Sequence, residues 1–195
     1  MQKDFKNLSR VKNILISGPP GCGKTTLIKE ILKDLKTKAG GFFTEEIREG
    51  GERKGFKIIT LDGKDYNPPT ASSHRLCRRA PGILAHENIK SNFRVSRYGV
   101  NLKDLEEIGV PSVLKAIDEG KIVVIDEIGK AELFSEKFKE AVFKALNSKN
   151  KVLGTIKISR DLFTEKIRKR EDTKIFYLKK EEREKIKEEI LKILS

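Results

Sequence analysis

The chain lacks tryptophan and has only two cysteines, Cys22 and Cys77, neither with a partner at zinc-like spacing. That excludes a disulfide framework and a cysteine-based metal cage. No apolar stretch approaches the roughly 20 residues that a bilayer-spanning helix needs. Met1-Gln2-Lys3-Asp4-Phe5-Lys6 carries no apolar segment of the signal-peptide kind. The expectation is a cytoplasmic protein with no membrane partner. No segment repeats, and no aromatic cluster interleaved with arginine offers a base-stacking platform. Neither histidine, His74 or His86, reads as catalytic.

Charge is what the chain has in excess. Charged residues make up 36% of the sequence and the formal net charge is +13, a composition met in proteins from hot environments. A basic balance points to anionic partners. Much of it is interleaved with acid on solvent faces, as in Lys179-Lys180-Glu181-Glu182-Arg183-Glu184-Lys185. Nucleic acid is therefore the less favoured partner, and a small anionic ligand accounts for part of the excess.

The ligand is indicated by Gly18-Pro19-Pro20-Gly21-Cys22-Gly23-Lys24-Thr25, which fits the phosphate-cradling P-loop pattern. Glycines let successive N–H groups turn inward and approach phosphate oxygens, which no larger residue permits. Lys24 supplies positive charge to the β and γ phosphates, the Thr25 hydroxyl is the expected Mg²⁺ ligand, and Thr26 is the next hydroxyl in line. The apolar run Lys12 to Ser17 before the loop reads as a buried strand. Leu27, Ile28, Ile31, Leu32 and Leu35 after it predict a helix through Lys38. The loop thus opens a helix, where the helix dipole favours an anion.

A second element lies at Lys121-Ile122-Val123-Val124-Ile125-Asp126-Glu127, followed by Ile128-Gly129. The β-branched run predicts a buried strand whose C-terminal edge meets the ligand. Placed beside the strand before the P-loop, it brings Asp126 to the Mg²⁺ shell, directly or through water. Glu127 then faces the γ phosphate, where a carboxylate orients a water and takes its proton. The candidate catalytic residues are Lys24 and Glu127; the candidate metal ligands are Thr25 and Asp126.

The remaining chain places coarsely. Gly41 to Ile47 and Gly55 to Leu61 predict a hairpin turning at Gly50-Gly51. Asn101 caps a helix that Pro111 interrupts or restarts, and Ser135 caps one burying Phe138, Ala141, Val142, Ala145 and Leu146. A strand at 151–156, a helix at 161–170, a strand at 174–178 and a C-terminal helix complete the chain. At 195 residues this suits one α/β domain: three layers, a mainly parallel sheet between helices, and a β-hairpin edge. Asp65 to Ala80, with Pro68-Pro69 and Arg75, Arg78 and Arg79, reads as a loop insert.

Gly41 to Arg48, Arg97 to Val100, Ile125 to Phe134, Gly154 to Ile156 and Ile167 to Asp172 come after the P-loop in an order that resembles the thermophilic nucleoside-triphosphatases. These are P-loop NTPases similar to nucleotide kinases, and they include the human cancer-related nucleoside-triphosphatase. The resemblance implies hydrolysis of ATP, GTP and other nucleoside triphosphates with Mg²⁺ and little base discrimination. It implies nucleotide-binding stretches at Gly18 to Thr25 and Ile122 to Gly129. Glu45, Glu46, Arg48, Lys130 and Glu132 match the pattern too, whereas Ala131 replaces the usual Met and Lys157 the usual Pro. For the γ phosphate, Arg48, Arg160 and Arg168 are candidate charge donors. The alternatives are a nucleotide or nucleoside kinase, a nucleic-acid-stimulated ATPase and a regulatory nucleotide-binding module.

Overall fold

The computed structural model describes residues 10–35, 38–61 and 81–195. The expected insert at 65–80, with His74, Cys77 and its three arginines, lies outside the described residues, as does 1–6. Among the described residues, no helix is long and apolar enough to cross a membrane.

Among the described residues, nine strands form one sheet. They are β1 (Asn13–Ser17), β2 (Ala39–Glu49), β3 (Glu52–Thr60), β4 (Gly82–His86), β5 (Arg94–Val95), β6 (Tyr98–Val100), β7 (Ile122–Ile128), β8 (Val152–Ile156) and β9 (Thr173–Tyr177). Their spatial order is β5-β6-β4-β3-β2-β7-β8-β1-β9. The β2-β7-β8-β1-β9 portion is parallel, and β3 to β6 extend it antiparallel from the predicted hairpin. The structure corrects the expected neighbour relation: β7 does not lie beside β1, because β8 is inserted between them and pairs with both. Parallel neighbours are chosen by how crossover helices pack, so chain order alone does not reveal the insertion.

Side-chain alternation along β1 divides the core. Leu15 faces one cluster and Ile14 with Ile16 the other, as strand geometry requires. The Ile14 side is covered by α1 (Lys24–Leu35) and α5 (Arg183–Leu194), through Leu27, Ile28, Ile31, Ile186 and Ile190. The Leu15 side is covered by α2 (Val110–Asp118) and α3 (Glu136–Asn147), with Ile167 of α4 (Leu162–Arg168). The three-layer expectation holds.

Local signals behave as their chemistry dictates. The Ser135 hydroxyl accepts from Phe138 N at 3.1 Å, capping α3. Asp161 caps α4 in a reciprocal box with Thr164. Asn101 Oδ1 accepts from Asp104 N at 3.2 Å, but Pro111 does not break the helical run. A π turn at Leu105–Gly109 leads directly into α2. The wider turn ends where proline, lacking an N–H, would leave a gap in the ladder. The helix after the P-loop is described from Lys24 to Leu35; residues 36 and 37 of its predicted extent lie outside the described residues, and the Lys38 carbonyl accepts from Ile122 N at 3.1 Å.

Candidate active site

The P-loop joins β1 to α1 at the C-terminal edge of the parallel strands. Gly21 and Gly23 have φ of 76° and 91°, values that glycine alone adopts without strain. The first turn of α1 holds no acidic residue, so its free N–H groups and dipole are left to attract an anion. Lys24 arches back over the loop and donates from Nζ to the carbonyls of Gly18 and Pro19, at 3.0 and 3.1 Å. Pro19, Pro20, Gly21 and Thr26 are exposed, whereas Gly18 is buried and Cys22 half-buried.

Thr25 and Asp126, one hundred and one residues apart in sequence, meet at the centre. Thr25 Oγ1 donates to Asp126 Oδ2 at 2.6 Å, and Thr155 Oγ1, from the intervening β8, donates to Oδ1 of the same carboxylate. Thr155 escaped the sequence-based assignment because its role depends on the strand insertion; a hydroxyl inside an otherwise apolar strand, Val152 to Ile156, was the available signal. Asp126 is buried. Burial raises its pKa above the ordinary value, against the opposing effect of the two hydroxyls, Lys24 and Lys29.

Two further carboxyls crowd this edge. Glu127 succeeds Asp126 through a cis peptide bond. It is half-buried, and burial and then the Asp126 charge push its pKa up, while Lys24 and Lys157 oppose the shift. Glu132 is buried. Burial, then Glu127 and Asp126, drive its pKa well up despite donation from the N–H groups of Glu132 and Gly129. The carboxyls close around Gly129: a Cβ there would lie 2.5 Å from Glu127 Oε1 and 2.8 Å from Glu132 Oε2. Ile122, Val123, Val124, Ile125 and Ile128 are buried in the core, so β7 presents the site with Asp126, Glu127 and Gly129. Lys130 is exposed.

The arginines do not converge on the acids. Arg48 bonds Glu46 and the Gly51 carbonyl at the hairpin turn. Arg160 is exposed beside Glu165, and Arg168 Nη2 donates to the Lys157 carbonyl at 2.7 Å. Arg183, which sequence reasoning placed only on a solvated face, instead donates from Nη1 to the Gly23 carbonyl at 3.2 Å and from Nη2 to Glu30 at 2.9 Å. It ties α5 to the P-loop, a contact between chain ends with no local signature. Glu45 pairs with Lys29 at 2.6 Å and Lys57 at 3.3 Å.

The donor set suits a small hard cation. Thr25 and Asp126 present oxygen side by side, and no group of three His, Cys, Asp or Glu that could cage a metal occurs among the described residues. Mg²⁺ characteristically takes few protein ligands and completes its shell with phosphate and water.

The family model described as NTPase matches residues 13–191. The nucleoside-triphosphatase THEP1 of Thermotoga maritima is 50% identical over 93% of this chain and 95% of its own. The crystal structure of THEP1 from Aquifex aeolicus superposes with a TM-score of 0.77 at 37% identity, covering 94% of this chain and 99% of that one. The solution structure of a human cancer-related nucleoside triphosphatase gives a TM-score of 0.73 at 33% identity, covering 95% and 98%.

Proposed function

This chain belongs to the nucleoside-triphosphatase family and hydrolyses nucleoside triphosphates, and from that premise we propose how its residues act. The P-loop N–H groups hold the phosphates, and Lys24 leaves the Gly18 and Pro19 carbonyls for the β and γ phosphate oxygens. Thr25 and Asp126 would hold Mg²⁺, which would supply charge neutralisation to the phosphates. Thr155 fixes the Asp126 carboxylate from the second side. Glu127 accepts the proton of a water aligned with the γ phosphorus; its raised pKa makes it a stronger base, and the lysines facing it favour the ionised form that base chemistry needs.

The observation that carries this reading is the Asp126 carboxylate bridged between Thr25 and Thr155, with Glu127 as the next residue. The β7 stretch from Ile122 to Gly129 serves the nucleotide through its C-terminal end. Broad use of ATP, GTP and other triphosphates is part of this reading. The chain acts as one P-loop domain, including the segment at 65–80.

Phosphate release from several triphosphates, with Mg²⁺ and without an acceptor, tests the proposal. Lys24→Ala abolishes it, and Glu127→Gln lowers it by about 10² to 10⁴ while nucleotide still binds. Release that begins only when a nucleotide or nucleoside acceptor is added identifies a kinase instead. Full turnover in Glu127→Gln removes Glu127 from the role of base.

A further inference from the structure

The turn after β8 holds a lysine in a setting built around it. Lys157 follows β8 directly, two residues beyond Thr155, the residue that bonds Asp126. Its main chain is held at both groups. Lys157 N donates to the Ile128 carbonyl at 3.2 Å, one residue beyond Glu127, and its carbonyl accepts from Arg168 Nη2 at 2.7 Å. Its side chain is only 18% exposed, with Nζ 2.6 Å from Asp161 Oδ2.

The Asp161 pairing does not commit the lysine to a structural task. The cap on α4 runs through the other carboxylate oxygen, Oδ1, which accepts from Thr164 N at 2.8 Å. Lys157 can therefore leave Asp161 without undoing the helix start. The charge it carries is felt at Glu127.

A phosphoryl group in transfer needs cations around its equatorial oxygens. Lys24 approaches from the P-loop side. On the β8 side, Arg160 is turned to Glu165 and Arg168 to the Lys157 carbonyl. We propose that Lys157 contacts a terminal phosphate oxygen of the bound triphosphate and acts as the charge donor that an arginine supplies elsewhere, with Arg168 as its positioning residue. The inference rests on the hydrolytic reading above. In the step it assists, the water oxygen bonds to the γ phosphorus and its proton passes to Glu127. The bond to the bridging oxygen breaks and its electron pair leaves with the nucleoside diphosphate.

The test compares the parent with Lys157→Ala, Lys157→Gln and Lys157→Arg, each checked for folding by thermal unfolding. Two readouts are taken with Mg²⁺: saturated phosphate release, and affinity for nucleoside diphosphate with and without aluminium fluoride. In Lys157→Ala and Lys157→Gln we expect kcat to fall by about 10²-fold, affinity for the diphosphate with aluminium fluoride to fall by a similar factor, and affinity for diphosphate alone to change by less than about threefold. Lys157→Arg restores part of the loss. Turnover within about twofold of the parent in a folded Lys157→Gln overturns the inference. Equal losses with and without aluminium fluoride also overturn it, since they mark a structural role. In either case, a parent that still depends on Lys24 and Glu127 leaves the hydrolytic reading standing. A parent that releases no phosphate from any triphosphate ends that reading and this inference together.

Discussion

Two groups of glutamates in this molecule experience opposite fates. On the β2–β3 hairpin, Glu46 is held below its ordinary pKa by Arg53 and Arg48. Glu45 is pushed up by burial, but Lys29 and Lys57 outweigh that and bring it below the ordinary value. At and just beyond the end of β7, half-buried Glu127 and buried Glu132 crowd Asp126 and one another, and all three carboxyls are raised. The chain carries a large cationic surplus, yet among the described residues the cations answer the acids of the hairpin more fully than those beside the P-loop. Net charge therefore says little about where charge is needed. An incompletely paired acidic edge facing a phosphate loop is the arrangement that a cation and a phosphate complete together.

The contrast breaks most visibly at Asp126. Asp126→Asn is expected to lower Mg²⁺-supported phosphate release by at least about two orders of magnitude, because the bridged carboxylate between Thr25 and Thr155 is gone. Retained turnover would detach the β7 acids from the reaction.

Gly129→Ala comes next. Its Cβ would crowd Glu127 and Glu132; Glu132 is buried and has no room to yield, so Glu127 moves. A fall in turnover of about tenfold is expected, with a stability loss of about 1 kcal/mol in chemical denaturation. A large stability loss with unchanged turnover would show that the two carboxyls need not keep their spacing.

Glu132→Gln sharpens the comparison through pH. A carboxyl raised on folding keeps its proton where the unfolded chain, at an ordinary value of 4.5, has already released it. Its contribution to stability is full below that value and is lost as pH rises through the raised one. The parent should therefore lose stability relative to Glu132→Gln as pH climbs above 4.5, in urea unfolding without metal. A parent that gains on the variant over that window contradicts the raised pKa.

The smallest effect belongs to the hairpin. Glu46→Gln should cost less than about 1 kcal/mol, shrink further in salt, and leave turnover within about twofold, because exposed ion pairs contribute little. A loss comparable to that of Asp126→Asn would place both acidic groups in one site.

Much of this was legible in residue order because its causes are local. The P-loop is a run of eight residues whose glycines set the backbone directly. The caps at Asn101 and Ser135 are side chains bonding N–H groups three residues on. The Gly50-Gly51 hairpin and the apolar periods of α1 and α3 are of the same kind. Pro111 stands in the first turn of α2, so the restart it signalled is present, while the π turn before it has no such local mark. Thr155, Lys157 and Arg183 went unassigned because each acts across a contact that its sequence neighbours do not announce.

Residue order by itself determined that a phosphate loop opens a helix, that a strand ends in adjacent carboxylates, and which side of each helix is apolar. These depend on spacings of two to eight residues, within which backbone chemistry dominates. Only the tertiary structure decided that β8 separates the two halves of the site and lends Thr155 to Asp126. It also decided that Glu132 is buried against Glu127 and that Arg48, Arg160 and Arg168 are paired elsewhere, while Lys157 is held at the end of β8. Those outcomes arise from strand order and burial, where many weak packing contacts act over long chain separations and no single residue dictates the result.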